Sequence, residues 1–398
     1  MNNILKNSLL FLLLLNIPLS ANDWAIGRIF FWISLLVCFY FLLKRYGILS
    51  IILFALMVFF KAIESVFPIA SFLYDLILAI IFSLTGLICF GASPDKLRKF
   101  LIIYLSISIP ILFLQIIGVY QLQLWNTDYA HDLTVLSNAE VGTFKYIPQY
   151  PTFLVSTYEL YYQIGQGRPP GLMSANNLLS VLVCFTSVLN LHIRNNGELN
   201  IGDIVVNLAA VMIMSKLTFV VILFSYSYGF MNKYKFIRRA SMNNFLIFLF
   251  FILIYRLVFP GLFFVNLSFH SLTASLGTRI IDIMQVVGFE NLLSAFWFAG
   301  SGYGLRLAEN RATSGFAVLL SSNYLLPIVL LALFILWKLK QSISKLHLNM
   351  YHQDQFYKNL LVVIFLCFSV IPTLFSSILF TFLMGIILQV LYIKDKSI

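Results

Sequence analysis

Arg168, Lys216, Arg256, Arg279 and Arg306 stand beside prolines, glycines or long apolar runs. Fixed cations in such places suit one kind of chemistry, the holding of an anion. Arg168 lies in "GRPPGLMSANNLLS". Pro169 and Pro170 fix φ and bias the preceding residue to extended geometry. Gly171 permits close approach of another backbone or a ligand. The following "SANN" offers helix N-caps, so N–H groups point outward at the start of the next helix. An arginine beside a helix N-terminus makes a good anion site. A capped turn whose arginine snorkels to lipid phosphates is the plainer alternative.

Lys216 splits the apolar stretch "VVNLAAVMIMSKLTFVVILF". As one helix, the stretch would bury the ammonium near mid-membrane at a cost of ~2.5–3.5 kcal/mol. Two short spans joined by a tight outer bend at Ser215 would instead place it in an outward-facing, water-filled cavity. Arg256 interrupts "FILIYRLVFPG" about one turn from Pro260, and snorkelling explains it nearly as well as a site does. Arg279 opens "TRIIDIMQVVGFENLLSAFWF", where an i,i+3 pair with Asp282 is the alternative. Arg306 follows "AGSGYGLR" and could pair with Glu309. Gly300, Gly302 and Gly304 read as a close-approach turn, not a nucleotide fingerprint, because no strand precedes them. His270 is the candidate general base, with His131, Glu140, Glu159 and Glu309 as further candidates. There is no Ser-His-Asp order, no metal-ligand cluster and no P-loop, so neither metal nor cofactor is expected.

The rest of the chain must position these groups, and it is strongly apolar. Its 398 residues are 61% hydrophobic and 10% charged, with a mean hydropathy of +0.93, too little polar surface for a soluble protein. The apolar runs do not alternate, which argues against a β-barrel. They fall near 4–20, 25–43, 47–60, 70–92, 100–120, 176–192, 201–215, 217–231, 244–265, 323–338, 359–375 and 378–393. That predicts an all-α polytopic membrane protein of about twelve transmembrane helices in one integral membrane domain, 1–398. The first run, with Lys6 before it and "PLSA" after it, also fits a signal peptide, but the spans that follow at once favour a retained helix. Cys38, Cys89, Cys184 and Cys367 all lie in apolar runs, as small core residues.

The formal charge of +11 reflects topology, not nucleic acid. Lys44, Arg45, Lys96, Arg98, Lys99, Arg194, Lys233, Lys235, Arg238 and Arg239 belong to connections on one side, which the positive-inside rule makes cytoplasmic. Both termini are then inside. Two long segments, 121–175 and 266–322, fall outside, and the second includes amphipathic helical stretches. Trp125 and Trp297 and many other aromatic residues argue against disorder there.

Taken in order, "GRPPGLMSANNLLS", "IMSKLTFV" and "LGTR…AGSGYG…SSNYLLPIVL" resemble the O-antigen polymerase and ligase superfamily, the Wzy-type polymerases in particular. The first matches that family's R-x-x-G-(x)-PN segment, the second its serine-basic hairpin, the third its second-loop pattern. Ala175 stands where the family has proline, Lys216 where arginine is common, and Ser322, not histidine, precedes Asn323. The last departure favours polymerase over ligase. The resemblance implies a GT-C-like, multi-pass enzyme of the bacterial inner membrane with its active site facing the periplasm. It would polymerise undecaprenyl-diphosphate-linked O-antigen oligosaccharide units without a metal, in a lipid membrane and alongside a chain-length regulator. Arg168, Lys216 and Arg279 would hold the diphosphate, with Arg306 and Arg256 as weaker members. Pro169, Gly171, the three glycines of the second loop and Asn323 would shape the turns. An O-antigen ligase and a polysaccharide flippase are the alternatives.

Overall fold

The computed structural model describes residues 25–63, 94–120, 176–192 and 198–267, with scattered residues in 66–85, at 169 and 171, in 272–281 and in 359–367. Every regular element among the described residues is helical. In chain order these are α1 (Ala25–Tyr46), α2 (Ile48–Ile63), α3 (Pro94–Tyr120), α4 (Asn176–His192), α5 (Ile201–Ile213), α6 (Lys216–Phe230), α7 (Lys235–Val258) and α8 (Pro260–Leu267). Of the sequence-stretch expectations, those for 4–20, 121–168, 282–358 and 368–393 lie outside the described residues.

Apolar runs predict these helices well, but charged ends extend them. α7 begins at Lys235, nine residues before the apolar run at 244, because Lys, Arg, Ala and Met are good helix formers even where they are too polar to count as membrane. The run 244–265, read as a single span, is two helices. Phe259 leaves helical geometry (φ −131°, ψ 63°) and Pro260 opens α8, the position where a missing N–H costs least. α1 stops at Gly47, whose φ of +56° is the left-handed conformation that ends helices, and Lys44 and Arg45 sit favourably in its last turn.

The described residues belong to two compact units. In the unit that includes residues 33–94, Leu35, Cys38, Phe41 and Leu42 form a buried stripe on α1. Phe39 and Phe54 join α1 to α2 edge to face, with centroids 4.6 Å apart.

In the unit that includes residues 95–273, α4 to α7 form a four-helix arrangement. α5 and α6 each pack on both α4 and α7, so the two helices of the α5–α6 hairpin lie diagonally across the group. Residue pairs fix the directions. Gly229 meets Ser241 and Tyr226 meets Asn244, so α6 and α7 run antiparallel. Gly229 is needed there, because an added Cβ would collide with Ser241 Oγ. Small residues let helix backbones approach in this way.

α7 is the one described helix long and apolar enough to cross a membrane, at 24 residues or about 36 Å. Only 28% of its apolar window is buried, unlike the core helix of a soluble protein. α2, α4, α5 and α6 are or contain shorter apolar helices.

Candidate functional site

The bend between α5 and α6 occupies two residues. Met214 takes left-handed geometry (φ 50°, ψ 30°) and its N–H donates to the Val211 carbonyl, closing α5. Ser215 is extended (φ −82°, ψ 128°), and Lys216 is the first residue of α6. A left-handed non-glycine residue is uncommon and needs support from its surroundings. Met214 has it, being buried together with Ile213 and Leu217.

The start of α6 is chemically unusual. Ser215 occupies the N-cap position but makes no side-chain cap bond, and the first turn has no acid. Helix N-termini ordinarily attract negative charge because their first N–H groups lack intrahelical partners. Here the turn begins instead with Lys216, which is half-buried. In the same turn Thr218 is fully buried, and its Oγ1 has no hydrogen-bond partner among the described residues. A cation, a helix N-terminus and a buried hydroxyl in one turn are groups that favour an anion.

Gly171 is buried with φ +63°, and a Cβ there would lie 2.9 Å from Leu179 Cδ2 and 3.3 Å from Leu112 Cδ2. Gly171 therefore sits against α3 and α4 in a conformation that no other residue adopts without strain. Pro169 is buried beside it in sequence. Arg256 is exposed near the end of α7, its guanidinium carbon 5.8 Å from the centre of the Phe263 ring on α8. That cation–π contact ties the cation across the α7–α8 break. Arg168, Arg279, Arg306, His270, Gly300, Gly302, Gly304 and Asn323 lie outside the described residues.

At the opposite end of the same helices lies a buried polar chain that apolar-run reading passes over. Arg98 Nη1 donates to Asn190 Oδ1 (3.1 Å), and Asn190 Nδ2 donates to Asp203 Oδ1 (2.7 Å). Asp203 Oδ2 accepts from the Asn200 N–H (2.9 Å), while Asn200 Oδ1 accepts from the Asp203 N–H (3.0 Å). These two bonds form a capping box that starts α5. One turn on, Asn207 Nδ2 donates to the Asp203 carbonyl (2.7 Å) and to Asn244 Oδ1 (2.9 Å). Tyr226 Oη donates to Asn207 Oδ1 at 2.7 Å, and Asn244 Nδ2 donates to the Ala240 carbonyl at 2.9 Å. The chain links α3, α4, α5, α6 and α7 through side chains that, Arg98 and Asn200 aside, have almost no solvent contact.

The one signal for it in the sequence is Asn200-x-x-Asp203 directly before an apolar run, a helix-start signature. Gly202 lies inside this box. A Cβ there would sit 2.6 Å from Ile102 Cδ1, 2.8 Å from Asn190 Oδ1 and 2.9 Å from Asn200 Oδ1. The polar chain is a clamp at the cation-rich end of the helices, and the α5–α6 bend is the candidate site at the other. No known protein family, curated protein or solved structure matches this chain.

Proposed function

We propose that this chain is a polytopic membrane glycosyltransferase of the O-antigen polymerase type, acting on oligosaccharide units carried on undecaprenyl diphosphate at the periplasmic face of the bacterial inner membrane. One observation carries the reading: Lys216 opens a helix whose first turn has no side-chain cap bond and no acid, and contains the buried Thr218 hydroxyl. Such a turn suits a phosphate oxygen. The cations at the other end support the orientation. Arg98, Lys99, Lys233, Lys235, Arg238 and Arg239 lie at the α3 and α7 starts, which the positive-inside rule turns to the cytoplasm and the α5–α6 bend outward.

The chemistry follows from where charge grows. An acceptor hydroxyl attacks the sugar C1, the C1–O bond to the diphosphate breaks, and the lipid diphosphate departs with the electron pair. The acceptor proton goes to a base, for which His270 is the candidate. Fixed cations in a water-poor site stabilise the departing diphosphate more than the intact donor. Each charge-assisted hydrogen bond contributes on the order of 1.5–3 kcal/mol. Lys216 with Arg168 and Arg279 would supply those bonds. In this reading about twelve helices in a GT-C-like arrangement hold the site.

Alanine at Arg168, Lys216 or Arg279 should reduce surface polysaccharide to a single repeat while the protein stays at its normal level in the membrane. A lipopolysaccharide ladder of normal length from all three variants would overturn the proposal. Bare core without any repeat would point to the ligase alternative.

A further inference from the structure

The outward face of α7 changes character once along its length. Lys235, Arg238 and Arg239 stand at i, i+3 and i+4, on one face of the first turns, and all are exposed, as is Lys233 just before the helix. From Met242 to Ile254 the exposed residues are apolar, among them Leu246, Leu249 and Leu253, and the exposed Arg256 follows. No charge intervenes between Arg239 and Arg256. The buried face, with Ile237, Ala240, Ser241, Asn244 and Phe248, turns the other way. Exposure of both halves of this stripe leaves a four-cation patch continuous with a long apolar strip.

The lengths suit a single molecule of lipid. Met242 to Leu253 covers ~17 Å of helix rise, about the half of a ~30 Å hydrocarbon layer that one leaflet supplies. The cations lie just beyond that stretch, at the depth of headgroup phosphates. The first turn of α7 has no acid and Tyr234 supplies no side-chain cap, so nothing in the turn itself offsets the positive charge.

We infer that this face binds an anionic diacyl phospholipid of the leaflet at the α7 N-terminal end. Its phosphate sits on Lys235, Arg238 and Arg239, assisted by Lys233, and an acyl chain runs along Met242, Leu246 and Leu253. A zwitterionic lipid fits the strip but cancels the phosphate charge that the cations meet. An acidic segment of a second copy meets the cations but leaves the strip bare, and a chain with 15 acidic residues against 26 basic ones has few such segments. The inference rests on the chain residing in a membrane, not on the reaction proposed above.

The test uses the full chain purified in a mild detergent. Phosphatidylglycerol or phosphatidylcholine is titrated in, and bound lipid is counted by native mass spectrometry. The wild type should retain phosphatidylglycerol at least tenfold more tightly. Each single change of Lys233, Lys235, Arg238 or Arg239 to Gln should reduce that preference about fivefold, the equivalent of ~1 kcal/mol per cation. The quadruple variant should abolish the preference, and if it fails to fold the single variants decide. Lys44→Gln with Arg45→Gln, on α1, should leave the preference intact.

Equal retention of both lipids by the wild type would overturn the inference. So would an equal loss in the α1 variant, which would show a response to net charge alone. Displacement of the lipid by 10-fold excess inorganic phosphate would reveal a small-anion site in place of a lipid face, with the same consequence. A chain recovered in the soluble fraction would remove the membrane reading itself, a result distinct from equal retention.

Discussion

Asn207 on α5 and Asn244 on α7, 37 residues apart in sequence, face each other in the buried interior with Asn207 Nδ2 donating to Asn244 Oδ1 across 2.9 Å. Tyr226 of α6 closes the set by donating to Asn207 Oδ1. Three helices are thus joined by groups that have no water to turn to. In an apolar surrounding the alternative to each bond is an unsatisfied amide, which makes the set specific for one helix register.

Asn244→Ala should therefore destabilise the protein by about 1–3 kcal/mol, because it leaves one Asn207 N–H without its acceptor. Asn207→Ala should do the same to Asn244 and Tyr226. The coupling between the two positions should be smaller, about 0.6 kcal/mol and no more than about 1.7, since a loosened membrane helix finds other partners. Thermal unfolding of both single variants and the double variant in detergent measures all three terms. Strict additivity would mean that the pair does not act as a unit.

Asp203 tests the direction of the bonds. Its two carboxylate oxygens accept from Asn190 Nδ2 and the Asn200 N–H. Asp203→Asn must set an amide donor against one of those donors, and should cost about 1–3 kcal/mol. Exchanging the pair, Asp203→Asn with Asn190→Asp, restores these bonds: the new amide donates to the new carboxylate, which also accepts from Arg98. Recovery of most of the lost thermal stability in the exchanged variant is the expected result. A double variant no better than Asp203→Asn alone would contradict this assignment of donors and acceptors.

Gly202 should tolerate nothing larger than hydrogen. Its Cβ position lies within 3 Å of Asn190 Oδ1 and Asn200 Oδ1, both already engaged in bonds, so Gly202→Ala forces the clamp apart. Overpacking of this kind typically costs about 1–3 kcal/mol. The loss should shrink in an Asn190→Ala background, where one of the obstructing atoms is gone, and thermal unfolding of the four proteins of that cycle reads it directly.

These features differ in how far the sequence reveals them. The α5–α6 bend is legible because a lysine cannot continue an apolar run cheaply, and the break falls at Met214–Ser215, beside the expected Ser215. The helix at 176–192 has the bounds of its apolar run. The clamp is not legible as a whole. Asn190, Asp203, Asn207, Tyr226 and Asn244 are single polar residues scattered through apolar runs, and only packing α4, α5, α6 and α7 together shows that they meet. The break at Pro260 was masked by apolar residues on both sides, which hydropathy treats as continuous although proline removes a helix donor. Near 171, the "PPG" motif announces a turn, but the glycine's contact with Leu112 and Leu179 depends on long-range packing.

Thr218 and Lys216 separate a binding site from a tidy helix start. Threonine to valine is nearly isosteric, and the Thr218 hydroxyl is buried without a partner among the described residues. If the hydroxyl had only a structural role, Thr218→Val would leave stability equal or improved and polysaccharide length unchanged, since removing an unsatisfied buried polar group costs nothing. If the first turn of α6 holds a diphosphate oxygen, the same change removes a donor to charge, worth about 1.5–3 kcal/mol, and slows polymerisation roughly tenfold or more. Lys216→Ala should shorten the ladder further, whereas Lys216→Arg keeps the charge and should retain most of its length. The expected pattern is therefore Thr218→Val at full thermal stability with short chains, and Lys216→Arg long where Lys216→Ala is short. Normal chains from Thr218→Val together with normal chains from Lys216→Ala would assign this turn to folding alone and move the anion site elsewhere.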